Sequence, residues 1–189
     1  MDICEFTPWC ASLQAAQVMS TLNQMFRVYD IALNKYSTLT KIKCIGDCYM
    51  AAGGIFDNNP PKIAATEMVK FGIDSINALL ALNVKLNQNL RMRVGINTGG
   101  PIIAGVLGID RPTFEILGPA INMAQQMEHT GVPMMVHIAK SVCDLIYDGD
   151  FDIKERGEVE VKHGKVTTFL VSPPPPPKKE NIVPADFHV

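Results

Sequence analysis

The run Lys41-Ile-Lys-Cys-Ile-Gly-Asp-Cys-Tyr-Met50 constrains the fold of this chain more than any other stretch. Ile42 and Ile45 are β-branched and suit extended backbone, Gly46 admits a φ that other residues avoid, and Tyr49-Met-Ala-Ala52 resumes an apolar strand. The segment reads as strand, glycine break and second strand, with a lysine and a carboxylate left at the break. An aspartate on so tight a turn is held still. That suits a hard cation such as Mg²⁺, which takes one or two fixed carboxylates plus substrate phosphates. The simpler role for Asp47 is a hydrogen bond to its own turn.

A second carboxylate stands near the start, in Met1-Asp-Ile-Cys-Glu-Phe-Thr-Pro-Trp9. Here a short strand runs straight into a helix, with Thr7 placed to cap it and Pro8 suited to its first turn. The free N–H groups of that turn would face whatever sits beside Asp2, and such groups attract phosphate. If the strand carrying Asp2 pairs with the strand ending at Asp47, two carboxylates and a helix N-terminus converge. This is the equipment for a metal-bound triphosphate, at which two metals can act together. The simpler role for Asp2 is a surface carboxylate near a chain end.

The order of elements extends the pattern. Residues from about 10 to 35 are helical, since Leu22, Met25, Phe26 and Tyr29 recur on one face. Asp57-Asn-Asn-Pro-Pro61 punctuates the chain, and a second helix runs to about Leu86. Met68, Gly72, Ile76 and Leu80 line one side of it, and Glu67, Lys70 and Asp74 the other. Arg91-Met-Arg-Val-Gly-Ile96 alternates as a half-buried strand. Strand, helix, strand, strand, helix, strand is the ferredoxin-like βαββαβ order, so the fold class is α+β. A C-terminal αβ extension follows: strands at 101–107 and 113–117, a helix from Pro119 to about His129, a strand at 134–138, a helix at 139–147, and strands near 151–156 and 158–171. Gly99-Gly100 suggests a bulge before Pro101. The domain therefore spans 1–171 with its first strand truncated, and the proline-rich tail 172–189 reads as a stiff extended spacer.

With 189 residues and 47% hydrophobic content the chain can bury a core in a single domain. A net charge of −2, dispersed basic residues and no interleaved stacking aromatics argue against nucleic acid as a partner. No apolar run approaches a membrane span, and no signal peptide stands at the start. The five cysteines lack zinc-type spacing and suit free thiols in a reducing, cytoplasmic setting.

Five blocks, in order and in register over nearly all of 1–171, carry a family resemblance. They are Asp2-Ile-x-x-Phe-Thr7, Lys43-x-Ile-Gly-Asp47, Arg93-Val-Gly-Ile-Asn97, Phe114-Glu-Ile-x-Gly118 with Ile121-Asn-x-Ala124, and Arg156-Gly-Glu-Val-Glu-Val-Lys162. Together they resemble the class III nucleotidyl cyclase catalytic domain. The resemblance implies a ferredoxin-like core that dimerises head to tail, as a homodimer or as a heterodimer with another cyclase domain. Active sites would lie at the interface and convert ATP or GTP to a 3′,5′-cyclic nucleotide and pyrophosphate. It also implies that Asp2, Ile3 and Asp47 hold two Mg²⁺ or Mn²⁺ ions, and that Phe6 and Thr7 fall among the substrate-binding positions. Membrane or sensor segments commonly precede such a domain, which suggests a fragment of a longer protein, cytoplasmic or on the cytosolic side of a membrane.

Lys43 and Glu115 match the two base-reading positions. Adenylyl cyclases of the family usually carry Lys and Asp there, guanylyl cyclases Glu and Cys. Lysine donates to adenine N1 and a carboxylate accepts from the N6 amine, whereas guanine presents the opposite pattern at both atoms. The pair leans to ATP, with GTP the lesser alternative. Asn122 matches the asparagine that orients the ribose. Four residues on, where the family places an arginine for the α-phosphate, stands Gln126. Lys162 matches the lysine on the terminal phosphates, and Lys165 and Arg111 are further cations that could stand in. A single transition-state arginine is worth roughly 10³–10⁵ in rate in phosphoryl transfer. Two readings follow: a cyclase that is slow or dependent on a partner's cation, or a degenerate domain that binds nucleotide or regulates a partner without turnover.

Overall fold

The computed structural model describes residues 1–162 and 164–174. The expectation for most of the proline-rich tail, residues 175–189, lies outside them. Strand β1 is only Asp2–Ile3; helices α1 (Phe6–Ala11) and α2 (Ala15–Leu33) follow. The β2 (Leu39–Ile45) and β3 (Cys48–Gly53) hairpin, helix α3 (Pro61–Leu86) and strand β4 (Met92–Ile96) complete the first unit. The extension comprises the β5 (Ile103–Leu107) and β6 (Thr113–Leu117) hairpin, α4 (Pro119–His129), β7 (Val136–Ala139), α5 (Lys140–Ile146), and the pair β8 (Ile153–Val161) and β9 (Gly164–Val171).

The main sheet has the order β1-β4-β7-β9-β8, with β4 and β7 parallel and the other pairs antiparallel. Asp2 lies opposite Arg93, and Ile3 opposite Met92. On the other side of β1, Met1 and Tyr49 exchange backbone hydrogen bonds of 3.0 and 2.9 Å, the pattern of an antiparallel pair. These bonds hang the β2–β3 hairpin on the sheet and give the ferredoxin-like neighbour sequence β2-β3-β1-β4. The strand of Asp2 therefore meets the strand that follows Asp47, not the one that ends before it.

Along β4 the alternation places Val94 against Gly72 of α3 and Gly95 against α4. Successive strand residues point to opposite faces, so α3 and α4 cover opposite sides of the sheet. The side of α3 and α2 holds the larger core, in which Met25, Tyr29, Tyr49, Val69, Phe71, Ile76, Leu79 and Met92 are all but inaccessible. A cavity of about 440 Å³ is lined by Met1, Ala52 of β3, Ile96 of β4, Met68 of α3 and Ala124 of α4. A space that touches helices on both faces must pass through the sheet. It does so between β3 and β4, whose residues line it from either side.

Several sequence expectations are corrected. The helix at 10–35 is two helices, broken at residues 12–14, where Gln14 and Gln17 form a reciprocal capping box that restarts it. Thr7 does not cap α1: Glu5 takes that place with a left-handed φ of 56°, which starts the helix earlier and leaves Thr7 as its second residue. Leu80 is half exposed, the buried stripe passing instead through Ile76, Leu79 and Asn83. On the polar side of α3, Glu67 accepts from the Thr38 N–H and hydroxyl, and Asp74 from Lys35 and Tyr36. Gly99 and Gly100 lie in the β4–β5 loop rather than in a bulge, and the strand begins at Ile103. The last two strands do not part at 157, because a register shift between Glu155 and Gly157 lets β8 run through as far as Val161.

Gly95 sets how close α4 sits. A Cβ there would lie 2.0 Å from the Glu128 N and 2.5 Å from the Ala124 O, both helix backbone. Gly95→Ala is expected to destabilise the protein by about 3 kcal/mol, the upper end for overpacking. Chemical denaturation measures it, and a loss below about 1 kcal/mol would show that α4 can shift at little cost.

Candidate functional site

Gly46 turns the β2–β3 hairpin with a φ of 59°, a left-handed conformation that favours glycine, and leaves Asp47 at its tip. From there the Asp47 carboxylate accepts a hydrogen bond of 3.0 Å from the Ile3 N–H. The Asp2 side chain lies beside it, near enough to bear on its protonation. Two residues 45 positions apart in the chain thus meet because β1 lies directly beside β3. Burial, followed by the neighbouring Asp2 side chain, pushes the Asp47 carboxyl from its ordinary 3.8 up to about 6, against the opposing Ile3 N–H. A carboxyl raised by burial and by a neighbouring acidic side chain is a place that a divalent cation would relieve. The donors fit a hard cation: two carboxylates, with the Ile3 backbone adjacent. Among the described residues no group of three or more His, Cys, Asp or Glu side chains converges to hold a metal. The remaining positions would fall to water or to phosphate oxygens.

Arg93 stands opposite Asp2 on β4. Its Nε donates to Glu128 of α4 at 2.8 Å, and its Nη2 lies 3.8 Å from the Asp2 Oδ2. The sequence placed Arg93 in a half-buried strand and gave it no role. An arginine among apolar β4 residues was the available signal, but its carboxylate partners come from two distant segments. Phe6 packs on Trp9, ring centroids 5.7 Å apart, in the short α1 that leaves β1. Thr7 is exposed there. Glu5, whose charge would oppose a triphosphate, is paired with Arg91 at 3.0 Å.

A second locus lies on the other side of the hairpin. Lys43 of β2 donates to Glu115 of β6, and the side chains are 29% and 26% exposed. The structure thus brings together the two base-reading candidates as an ion pair. Breaking a partly screened pair of this kind costs on the order of 1 kcal/mol, so a ligand that offers each a hydrogen bond can separate them. Asn122 and Gln126 lie on α4, the first exposed and the second half-buried. Lys162 is exposed at the end of β8. Among the described residues, no side-chain hydrogen bond or ion pair ties Asn122, Gln126 or Lys162 to either pair. One chain therefore presents two groups of candidates and does not close them into one site. Close to Glu115, the β5–β6 hairpin exposes Ile103, Val106 and Leu107, while Ile109 in its turn is 98% exposed.

None of the helices among the described residues is long and apolar enough to cross a membrane. A family model for the adenylate and guanylate cyclase catalytic domain matches residues 1–173. The soluble guanylate cyclase subunit beta-2 of Rattus norvegicus is 34% identical over 192 residues, covering 98% of this chain and 28% of that protein. The chain spans about a quarter of that relative's length. Among solved structures, the adenylyl cyclase CyaB from P. aeruginosa superposes with a TM-score of 0.84 at 26% identity, covering 92% of this chain and 91% of that one. The guanylate cyclase domain of RhGC from Catenaria anguillulae, in complex with GTP, gives 0.82 at 29% identity, covering 92% and 93%. With a family match over nearly the whole described chain and a shared fold across adenylyl and guanylyl members, the chain belongs to the adenylate and guanylate cyclase catalytic domain family.

Proposed function

We propose that this domain converts ATP to 3′,5′-cyclic AMP and pyrophosphate, working as a dimer with each active site built from two chains. The observation that carries this reading is the meeting of Asp2 with Asp47 beside Ile3, separate from the Lys43–Glu115 pair. A single chain holds a metal half and a purine half, and a head-to-tail partner would bring one half to the other. The exposed apolar side chains of the β5–β6 hairpin, at the purine half, support such a contact. Bound at Asp2 and Asp47, two divalent ions would favour the 3′-alkoxide and steady the triphosphate.

Chemistry at the purine half supports adenine. Lys43 donates and Glu115 accepts, the pattern that adenine N1 and N6 complement. Parting from each other to bind the base, both keep a hydrogen-bond partner. Glutamate reaches one methylene further than the family's usual aspartate, and β6 places it against Lys43 despite that length. The relatives reported above include both adenylyl and guanylyl cyclases by name, so this pair is what supports ATP.

Gln126 supports a second reading, a domain that binds nucleotide and metal but turns over little. Its amide can donate a hydrogen bond at the α-phosphate without adding charge, and charge at a developing anion is the larger contribution. Gln126→Arg is therefore expected to raise cyclic AMP production in the presence of Mn²⁺ at least tenfold, with cyclic GMP remaining the minor product. Assays of both variants with ATP and GTP check this. No gain with either nucleotide would show that Gln126 is not what limits the rate, and a preference for GTP would overturn the adenine assignment.

The Asp47 shift gives a stability test. Between 3.8 and about 6 the native state holds a proton that the unfolded chain has released. This contribution is fully present below 3.8 and is lost as pH rises through about 6. Metal-free protein should lose melting temperature relative to Asp47→Asn across that window, and Mn²⁺ should restore it above pH 6 in the wild type only. Parallel pH profiles for the two proteins, or equal stabilisation by Mn²⁺, would contradict the assignment.

A further inference from the structure

We infer that Arg93 is a positioning residue that sets cation binding at Asp2 against the seat of α4. Its guanidinium is shared between two carboxylates on different elements. Toward α4 it makes a short bond, Nε to Glu128 at 2.8 Å, and toward β1 a looser contact of 3.8 Å to Asp2. Arg93 and Glu128 are 25% and 18% exposed, so water screens the pair only in part. The planar fork of arginine allows this sharing, because donors on different edges can serve two acceptors at once.

The location gives the sharing a consequence. Glu128 belongs to the same turn of α4 that lies against Gly95, where the helix backbone leaves no room for a Cβ. Gly131, just past that helix, lies so close that an added Cβ would be 3.6 Å from the Arg93 Cβ. Asn122 and Gln126 ride on the helix held there. A cation that takes the Asp2 carboxylate removes one claimant on Arg93, which can then give its full charge to Glu128 and tighten α4 on β4. Conversely, weakening the Glu128 contact frees Arg93 to neutralise Asp2 and so to compete with a cation. Metal occupancy and the position of the nucleotide-facing helix become linked through one guanidinium.

The link rests on the metal reading of Asp2 and Asp47 given above, and a pair of variants separates the two ideas. Binding of Mn²⁺ alone to the full chain can be followed by electron paramagnetic resonance, with hydrogen exchange of the α4 amides read in parallel. Arg93→Gln should bind Mn²⁺ at least threefold more tightly, since a competing cation is gone. Glu128→Gln should bind it at least threefold more weakly, since Arg93 turns to Asp2. Amides from Ala124 to Glu128 should exchange faster in both variants. A purely structural role would move Mn²⁺ affinity the same way in the two proteins, and that result, or unchanged α4 exchange, would overturn the inference. Should Arg93→Gln fail to fold, Glu128→Gln decides alone: weaker binding supports the link, and unchanged or tighter binding refutes it. A wild type that binds no Mn²⁺ would sink the metal reading, while unchanged α4 exchange would separately sink the link to the helix.

Discussion

Three hydrogen bonds at one place hold this domain in its working shape. Met1 and Tyr49 exchange two through their backbones, and the Ile3 N–H gives the third to the Asp47 carboxylate. Together they attach the β2–β3 hairpin to a sheet that otherwise begins at β1. The same bonds draw Asp47 to Asp2 and fix the other side of the hairpin, where Lys43 meets Glu115. An aspartate that accepts a main-chain N–H in this position ties the hairpin to β1 and lies beside Asp2.

The edges of β3 and β4 face each other across a cavity of about 440 Å³ that reaches α3 on one face and α4 on the other. The apolar core under α2 and α3 borders this cavity through Tyr49, Phe71 and Val94. The position of α4 is held by close contact at Gly95 and by the Arg93–Glu128 pair.

The readable part of the sequence was the part governed by local pattern. Alternation gave β4, the Gly46 break gave the hairpin, and the strand and helix order gave the ferredoxin-like core. Readings failed where a distant partner decided the outcome. Thr7 has the composition of a cap, yet Glu5 begins the helix, tied to Arg91 just before β4. Gly157 looks like a strand end, but pairing with β9 absorbs it and carries β8 onward. Lys43 and Glu115 could be matched to base-reading positions from their motifs, while their mutual ion pair requires the third dimension. Arg93 lies in the Arg93–Asn97 segment with no role legible from sequence, because both of its carboxylates are remote along the chain.

The proposed site combines two neighbouring carboxylates, Asp2 and Asp47, with a neutral amide at position 126. We assign the metal half of the proposed site to Asp2 and Asp47. Diffraction at the manganese edge, from crystals grown with Mn²⁺ and a non-hydrolysable ATP analogue, tests it most directly. Anomalous peaks are expected within about 2.1 Å of carboxylate oxygens of both residues, the distance of inner-sphere binding. Nucleotide bound with manganese elsewhere, and this pair of aspartates left without it, would contradict the claim.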